Sequence, residues 1–239
     1  MRGGITGVLV ALSFVSLAAV AAAQQAPVPG AAPAAAPAAL PADVDSTSLS
    51  RLPFVDPSTL SGEALRVYES LYPKDKDGNR RRLFPGMTSL SLVSPGFAEA
   101  IDSLHLYLSQ KSVIGQAMFQ LCSLIAIREF DDPFNWNAHE GQAARAGVDQ
   151  RTIDAIKFDR PVDGLPEKDA LAIRFGRAIF REHEVSSELY ARVVKAFGRQ
   201  GMMELDATMG TYALVSMVAI GVDEHVQNPR YVLPVLPRK

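Results

Sequence analysis

Three features of this chain predict an all-α fold. Apolar residues recur at helical spacing from about residue 60 to residue 220. Capping residues, prolines and glycines punctuate those runs where helices start and stop. No segment alternates polar and apolar residues with the period of two that a half-buried strand needs. The expected architecture is a bundle of about seven or eight helices joined by short loops.

The elements follow in order. LSGEALRVYESLY places Leu60, Ala64, Val67 and Leu71 on one stripe, with Ser61 as N-cap. KDKDGNRRRLFPG is a polar loop. Ser94-Pro95 combines a capping serine with a proline at the first helical position. Phe97, Ile101, Leu104 and Leu108 then keep helical spacing. Gln116 to Glu129 is apolar on most faces and is placed as the central helix. Asp132-Pro133 breaks it and opens a helix from Phe134 to Ala146, which Gly147 ends as a C-terminal cap. Asp149 caps a short helix to about Phe158, and RPVDGLP is a turn. Pro166 starts a helix through Arg181. Ser186 caps SSELYARVVKAFG, closed at Gly198. The last helix runs from about Met203 to Ile220, and NPRYVLPVLP is an extended tail.

The 239 residues, 48% of them hydrophobic, suffice for one domain with a real core. The N-terminal run has one early cation, Arg2, an apolar stretch from Ile5 to Val20, and Ala21-Ala22-Ala23. It reads as a secretory signal peptide over residues 1–23. The alternative, a retained membrane anchor, is short for a span and lacks a basic flank. Residues 24–51 are rich in alanine and proline and read as a linker, which leaves 52–239 as the domain. Export to the periplasm or the exterior is expected, with no stable membrane insertion after cleavage. The one cysteine, Cys122, lies in an apolar run and has no internal partner for a disulfide. A net charge of −2, and no basic cluster beyond Asn79-Arg80-Arg81-Arg82, argue against a nucleic-acid partner.

Several familiar chemistries are absent. The chain has no Gly-rich phosphate loop, CxxC, HExxH or G-x-S-x-G. The spacing of His105, His139, His183 and His225 gives no converging ligand set, so neither a metal nor a cofactor is expected. His183 fits a helix C-terminus, and His105 reads as structural. His225 beside Asp223 and Glu224 forms a second, weaker candidate site with Glu224. His139 stands out. It lies one turn into a helix that opens at a proline, where the helix dipole disfavours its protonation. Asn135 is four residues earlier and Trp136 three, on nearly the same face.

The segment from Gln120 to Gly147 resembles the carboxymuconolactone decarboxylase and alkylhydroperoxidase D superfamily. Many members carry a long apolar helix, a break, and a helix with E-W-x-x-H followed by small residues and A-G-[LV]. Here the matching residues are Asn135-Trp136-Asn137-Ala138-His139 and Ala143-Ala144-Arg145-Ala146-Gly147-Val148. DQRTIDAI, LFPGMTSLSLVSPGFAEAIDSLHLYL, SSELYARVVKAFG and MELDATMGTYALVSMVAIGV match in order, so the resemblance spans most of 60–222. It implies an alkylhydroperoxidase D-like helical bundle. It also implies a homo-oligomer, a trimer or hexamer. In the peroxidase branch a CxxC pair precedes the histidine, and a glutamate lies on the preceding helix. Those positions fall on Asp132, Asn135 and Gln120, and only the histidine is kept, as His139. Thiol-route peroxidase activity is therefore not expected.

The expected function is that of an exported, cofactor-free lyase or isomerase-type enzyme on a small organic acid or lactone. His139 would be the general acid/base, with Asn135 and Asp132 beside it as catalytic residues. Trp136, Arg128, Glu129 and Gln120 would contact the small-molecule substrate, Arg128 through a carboxylate. The alternative is a non-catalytic small-molecule-binding protein on the same scaffold.

Overall fold

The apolar run centred on Leu121 forms the hub of the domain. The structure is a computed structural model and describes residues 40–79 and 91–237, which all belong to one unit beginning at Pro37. Seven α-helices are present among the described residues: α1 (Gly62–Leu71), α2 (Pro95–Gln110), α3 (Gly115–Glu129), α4 (Pro133–Arg145), α5 (Gln150–Lys157), α6 (Glu167–Arg177) and α7 (Ser187–Gly221). The described residues contain no strand, and Asp45 and Ser50 form an isolated bridge. The all-α expectation therefore holds.

Every residue of α3 from Met118 to Arg128 is buried, because α2, α4, α5, α6 and α7 all pack around it. Phe119, Leu121, Leu124, Ile125 and Ile127 meet Ile173, Phe175, Leu205 and Met209 in the main core. Close packing of α6 on α3 requires glycine at 176. A Cβ there would lie 2.5 Å from Ile125 Cγ2 and 3.0 Å from Met209 Sδ. A smaller cluster, Val67, Tyr68, Leu92 and Ala98, joins α1 to α2.

Helix boundaries follow the side chains that satisfy free backbone groups. The carboxylates of Asp132 and Asp149 and the hydroxyl of Ser186 accept N–H bonds from the first turns of α4, α5 and α7. Ser61 and Ser94 make no such bond, contrary to expectation; α2 instead starts on Pro95, which has no N–H to satisfy. The helix expected to reach Arg181 is α-helical to Arg177 and widens into a π-turn over Ala178–Glu182, ending at left-handed His183 (φ 57°). The two expected last helices are the halves of α7, separated at Gly198, whose φ of 73° and ψ of 172° are not helical.

The packed chain begins upstream of Leu52, the expected start of the domain. Ser48 and Ser50 are fully buried, and the Arg51 N–H donates to the Val222 carbonyl (2.7 Å). The His225 N–H donates to the Leu49 carbonyl (2.8 Å), so residues 44–51 are tied to the end of α7. The expected signal peptide, the linker up to residue 39, and Arg80-Arg81-Arg82 lie outside the described residues. No helix among the described residues is long and apolar enough to cross a membrane.

Candidate functional site

The break between α3 and α4 positions the site. After α3, left-handed Asp131 (φ 52°) turns the chain, and Asp132 then caps α4. Asp132 Oδ1 accepts the N–H groups of Phe134 (3.0 Å) and Asn135 (3.1 Å). Its Oδ2 accepts from Asn135 Nδ2 at 2.6 Å. Burial raises the pKa of Asp132, and these bonds oppose that rise. Asp132 and Asn135 thus satisfy each other. Although Asn135 lies one helical turn before His139, its amide turns away from the imidazole, because the capping carboxylate is the nearer acceptor.

His139 pairs with the preceding helix. Its Nδ1 lies 3.0 Å from Gln120 Oε1. An amide oxygen only accepts, so Nδ1 carries the proton and the neutral ring keeps its lone pair on Nε2. Gln120 Nε2 in turn faces Gln142 Oε1 at 3.4 Å, and Gln142 Nε2 donates to the Ala138 carbonyl at 2.8 Å. Tyr212, from α7, stands edge-on to His139 with ring centroids 4.8 Å apart. His105, from α2, stacks edge-on against Phe119 (5.6 Å) and Tyr212 (6.5 Å). Burial lowers the pKa of His139 to about 3, and His105 adds to the shift. Burial also lowers that of His105 and raises that of the Tyr212 phenol. The result is a neutral, oriented imidazole held by Gln120 of α3 and Tyr212 of α7.

Three expected substrate contacts are structural. Trp136 is fully buried and gives its indole N–H to Glu140, so it belongs to the core and does not wall a pocket. Lys157 joins this buried pair, its Nζ 2.8 Å from Glu140 Oε2. Arg128 donates to the carbonyls of Lys157 (3.3 Å) and Pro234 (2.9 Å) and pairs with Asp131, which pins the C-terminal tail. Glu129 takes both of its bonds from Arg181, at 2.7 and 2.5 Å. Gln120 is the one member of that set beside His139. Tyr212, Gln142 and His105 were not expected to join it.

The second candidate pair, His225 and Glu224, lies elsewhere. A cavity of about 340 Å³ opens between the start of α4, the end of α7 and the C-terminal tail. Asp132, Asp223, Glu224 and His225 line it, with Ile220 and Tyr231 among its walls. Glu224 is 8% exposed, and neither of its carboxyl oxygens has a hydrogen-bond partner. Burial, with Asp132 adding to it, pushes its pKa up to about 8. His225 Nε2 lies 3.3 Å from Asp223 Oδ1 but makes no hydrogen bond, and like Glu224 it faces the cavity.

Two solved structures share this arrangement of helices. One is described as an alkylhydroperoxidase AhpD core, an uncharacterized peroxidase-related protein from Ralstonia eutropha JMP134. It matches 75% of this chain and 93% of its own, with a TM-score of 0.59 and 16% identity. The other, an uncharacterized peroxidase-related protein from Silicibacter sp. TM1040, matches 77% of this chain and 94% of its own, with a TM-score of 0.59 and 10% identity. The fold is alkylhydroperoxidase D-like. No family model matches the chain, and no curated protein matches it. On this alkylhydroperoxidase D-like scaffold the sole cysteine is Cys122, fully buried in α3, and burial raises its thiol pKa strongly. A thiol held neutral and shut away from solvent is no peroxidatic nucleophile.

Proposed function

We propose that this alkylhydroperoxidase D-like protein is a cofactor-free proton-transfer enzyme, of lyase or isomerase type, acting on a small organic acid or lactone. The observation that carries the reading is the His139–Gln120 pair, which leaves Nε2 as a fixed lone pair. An imidazole with a pKa of about 3 is a weak base in the free protein. An anionic substrate beside it would favour the imidazolium and raise that pKa, making the ring a base only when substrate is bound. Gln120 is then a positioning residue, and Tyr212 holds the ring edge. The test is a mass-spectrometric screen of small carboxylic acids and lactones for turnover. A His139→Ala variant that keeps both the fold and full turnover of an identified substrate would overturn the proposal.

The depressed basicity of His139 also favours a second reading, a binding protein in which the imidazole only exchanges hydrogen bonds with its ligand. Ligand-dependent thermal shifts with no product formed would select it. The proposal extends to assembly as a homo-oligomer, a trimer or hexamer. It is supported by Met203, Leu214 and Met217, which leave an exposed apolar stripe along α7 (59%, 40% and 61% exposed). Light scattering that finds a monomer would remove that part. Export through residues 1–23 to the periplasm or the exterior completes the reading and rests on their apolar run.

A further inference from the structure

The cavity beneath the C-terminal tail is independent of the His139 cluster: neither His139, Gln120 nor Tyr212 lines it. Its polar lining is acidic. Asp132, Asp223 and Glu224 face it, against His225 alone as a group that can become cationic. Arg51 approaches Asp223 at 3.6 Å but is shared with Asp43 at 2.8 Å. Asp132 is already used by the first turn of α4 and by Asn135. Glu224 is not used. Its two oxygens are buried and take no donor. An unpartnered buried carboxyl is costly, so a ligand that supplies donors there gains what the fold leaves unsatisfied.

We propose that this cavity binds a small organic cation, an alkylammonium whose head group donates to the Glu224 carboxylate while its apolar body packs on Ile220, Val232 and Leu233. Competing occupants fit less well. A metal ion needs several converging ligands, and no group of three or more His, Cys, Asp or Glu suited to one occurs among the described residues. An organic anion meets three carboxyl groups. A neutral apolar molecule fills the space and leaves Glu224 without a donor. An ammonium head satisfies Glu224, and its alkyl chain matches walls that are mostly aliphatic.

The test titrates the full chain at pH 9, where Glu224 is ionised and the alkylammonium still cationic, with n-butylammonium chloride by calorimetry, with 1-butanol and sodium butyrate as controls. Saturable binding is expected for butylammonium and not for either control. Glu224→Gln keeps the side-chain shape and removes the charge, and should weaken binding by about tenfold or more. Ile220→Trp places bulk at a half-exposed wall without touching a carboxyl, and should abolish binding with the helix content kept by circular dichroism. The proposal is overturned if butylammonium does not bind the wild-type chain, or if butanol binds as tightly. It also fails if a folded Glu224→Gln binds with wild-type affinity. Should Glu224→Gln not fold, Ile220→Trp decides: wild-type affinity in that variant overturns the proposal.

Discussion

Two titratable groups, one in the middle of α4 and one just past α7, show opposite solutions to the same problem. His139 is half-buried and partnered by Gln120; Glu224 is buried and its carboxyl oxygens take no hydrogen bond. In both cases burial suppresses the charged form, which lowers the pKa of the base and raises that of the acid. The hydrogen bond makes the difference. It gives the imidazole one tautomer and one direction, whereas the carboxyl is left waiting for a donor. Orientation without charge suits proton transfer to a bound substrate, and an unsatisfied acid suits capture of a cation.

The comparison breaks first at the chemistry. His139→Ala should reduce turnover of an identified substrate by about 100-fold or more while circular dichroism stays unchanged. An equal loss in Gln120→Ala would show that the tautomer, not just the ring, is required.

The next effect is on stability against pH, where the two groups act with opposite sign. His139 has a folded pKa of about 3 against an ordinary 6.5, so between those values the unfolded chain binds more protons and stability falls on acidification. Glu224 has a folded pKa of about 8 against 4.5, so between those values the folded chain holds more protons and stability falls as pH rises. Urea unfolding from pH 4 to 9 should therefore show His139→Gln flattening the acid limb and Glu224→Gln the alkaline limb. Each change should be about 1.4 kcal/mol per pH unit within its window. If both variants change the same limb, the two groups do not act with opposite sign.

A smaller effect is expected at the boundary between the two regions. Asn135→Ala removes the 2.6 Å bond to Asp132 and leaves a buried carboxylate oxygen short of a donor. It should lower unfolding stability by about 1–2 kcal/mol. The loss should shrink at low pH, where Asp132 is protonated, as chemical denaturation at two pH values would reveal.

Local features were legible in the sequence because their partners lie within a turn or two. The Asp132-Pro133 break, the caps at Asp149 and Ser186, and the stop at Gly147 all follow from side chains satisfying nearby backbone groups. The site was legible only in part. His139 and Gln120 were identified, but Asn135 was assigned to the imidazole when the capping carboxylate outcompetes it. Tyr212 joins from α7 by tertiary packing, and no local pattern announces such a contact. Glu224 and His225 were read together and do line one cavity, but Asp132 joins them there from the start of α4, which no local pattern announces. Trp136, Arg128 and Glu129 looked chemical because they are polar or large beside a histidine. Each instead closes a bond that holds helices or the tail in place.

The burial of Trp136 has an optical consequence. It is the only indole in the chain, it is shut away from water, and its N–H is committed to Glu140, with Lys157 5.9 Å from the ring. Excitation at the red edge of protein absorbance therefore addresses one emitter, on the helix that carries both Asp132 and His139. Its emission wavelength and its quenching by the neighbouring ammonium make the native chain its own unlabelled reporter of any molecule that settles on either side of α4.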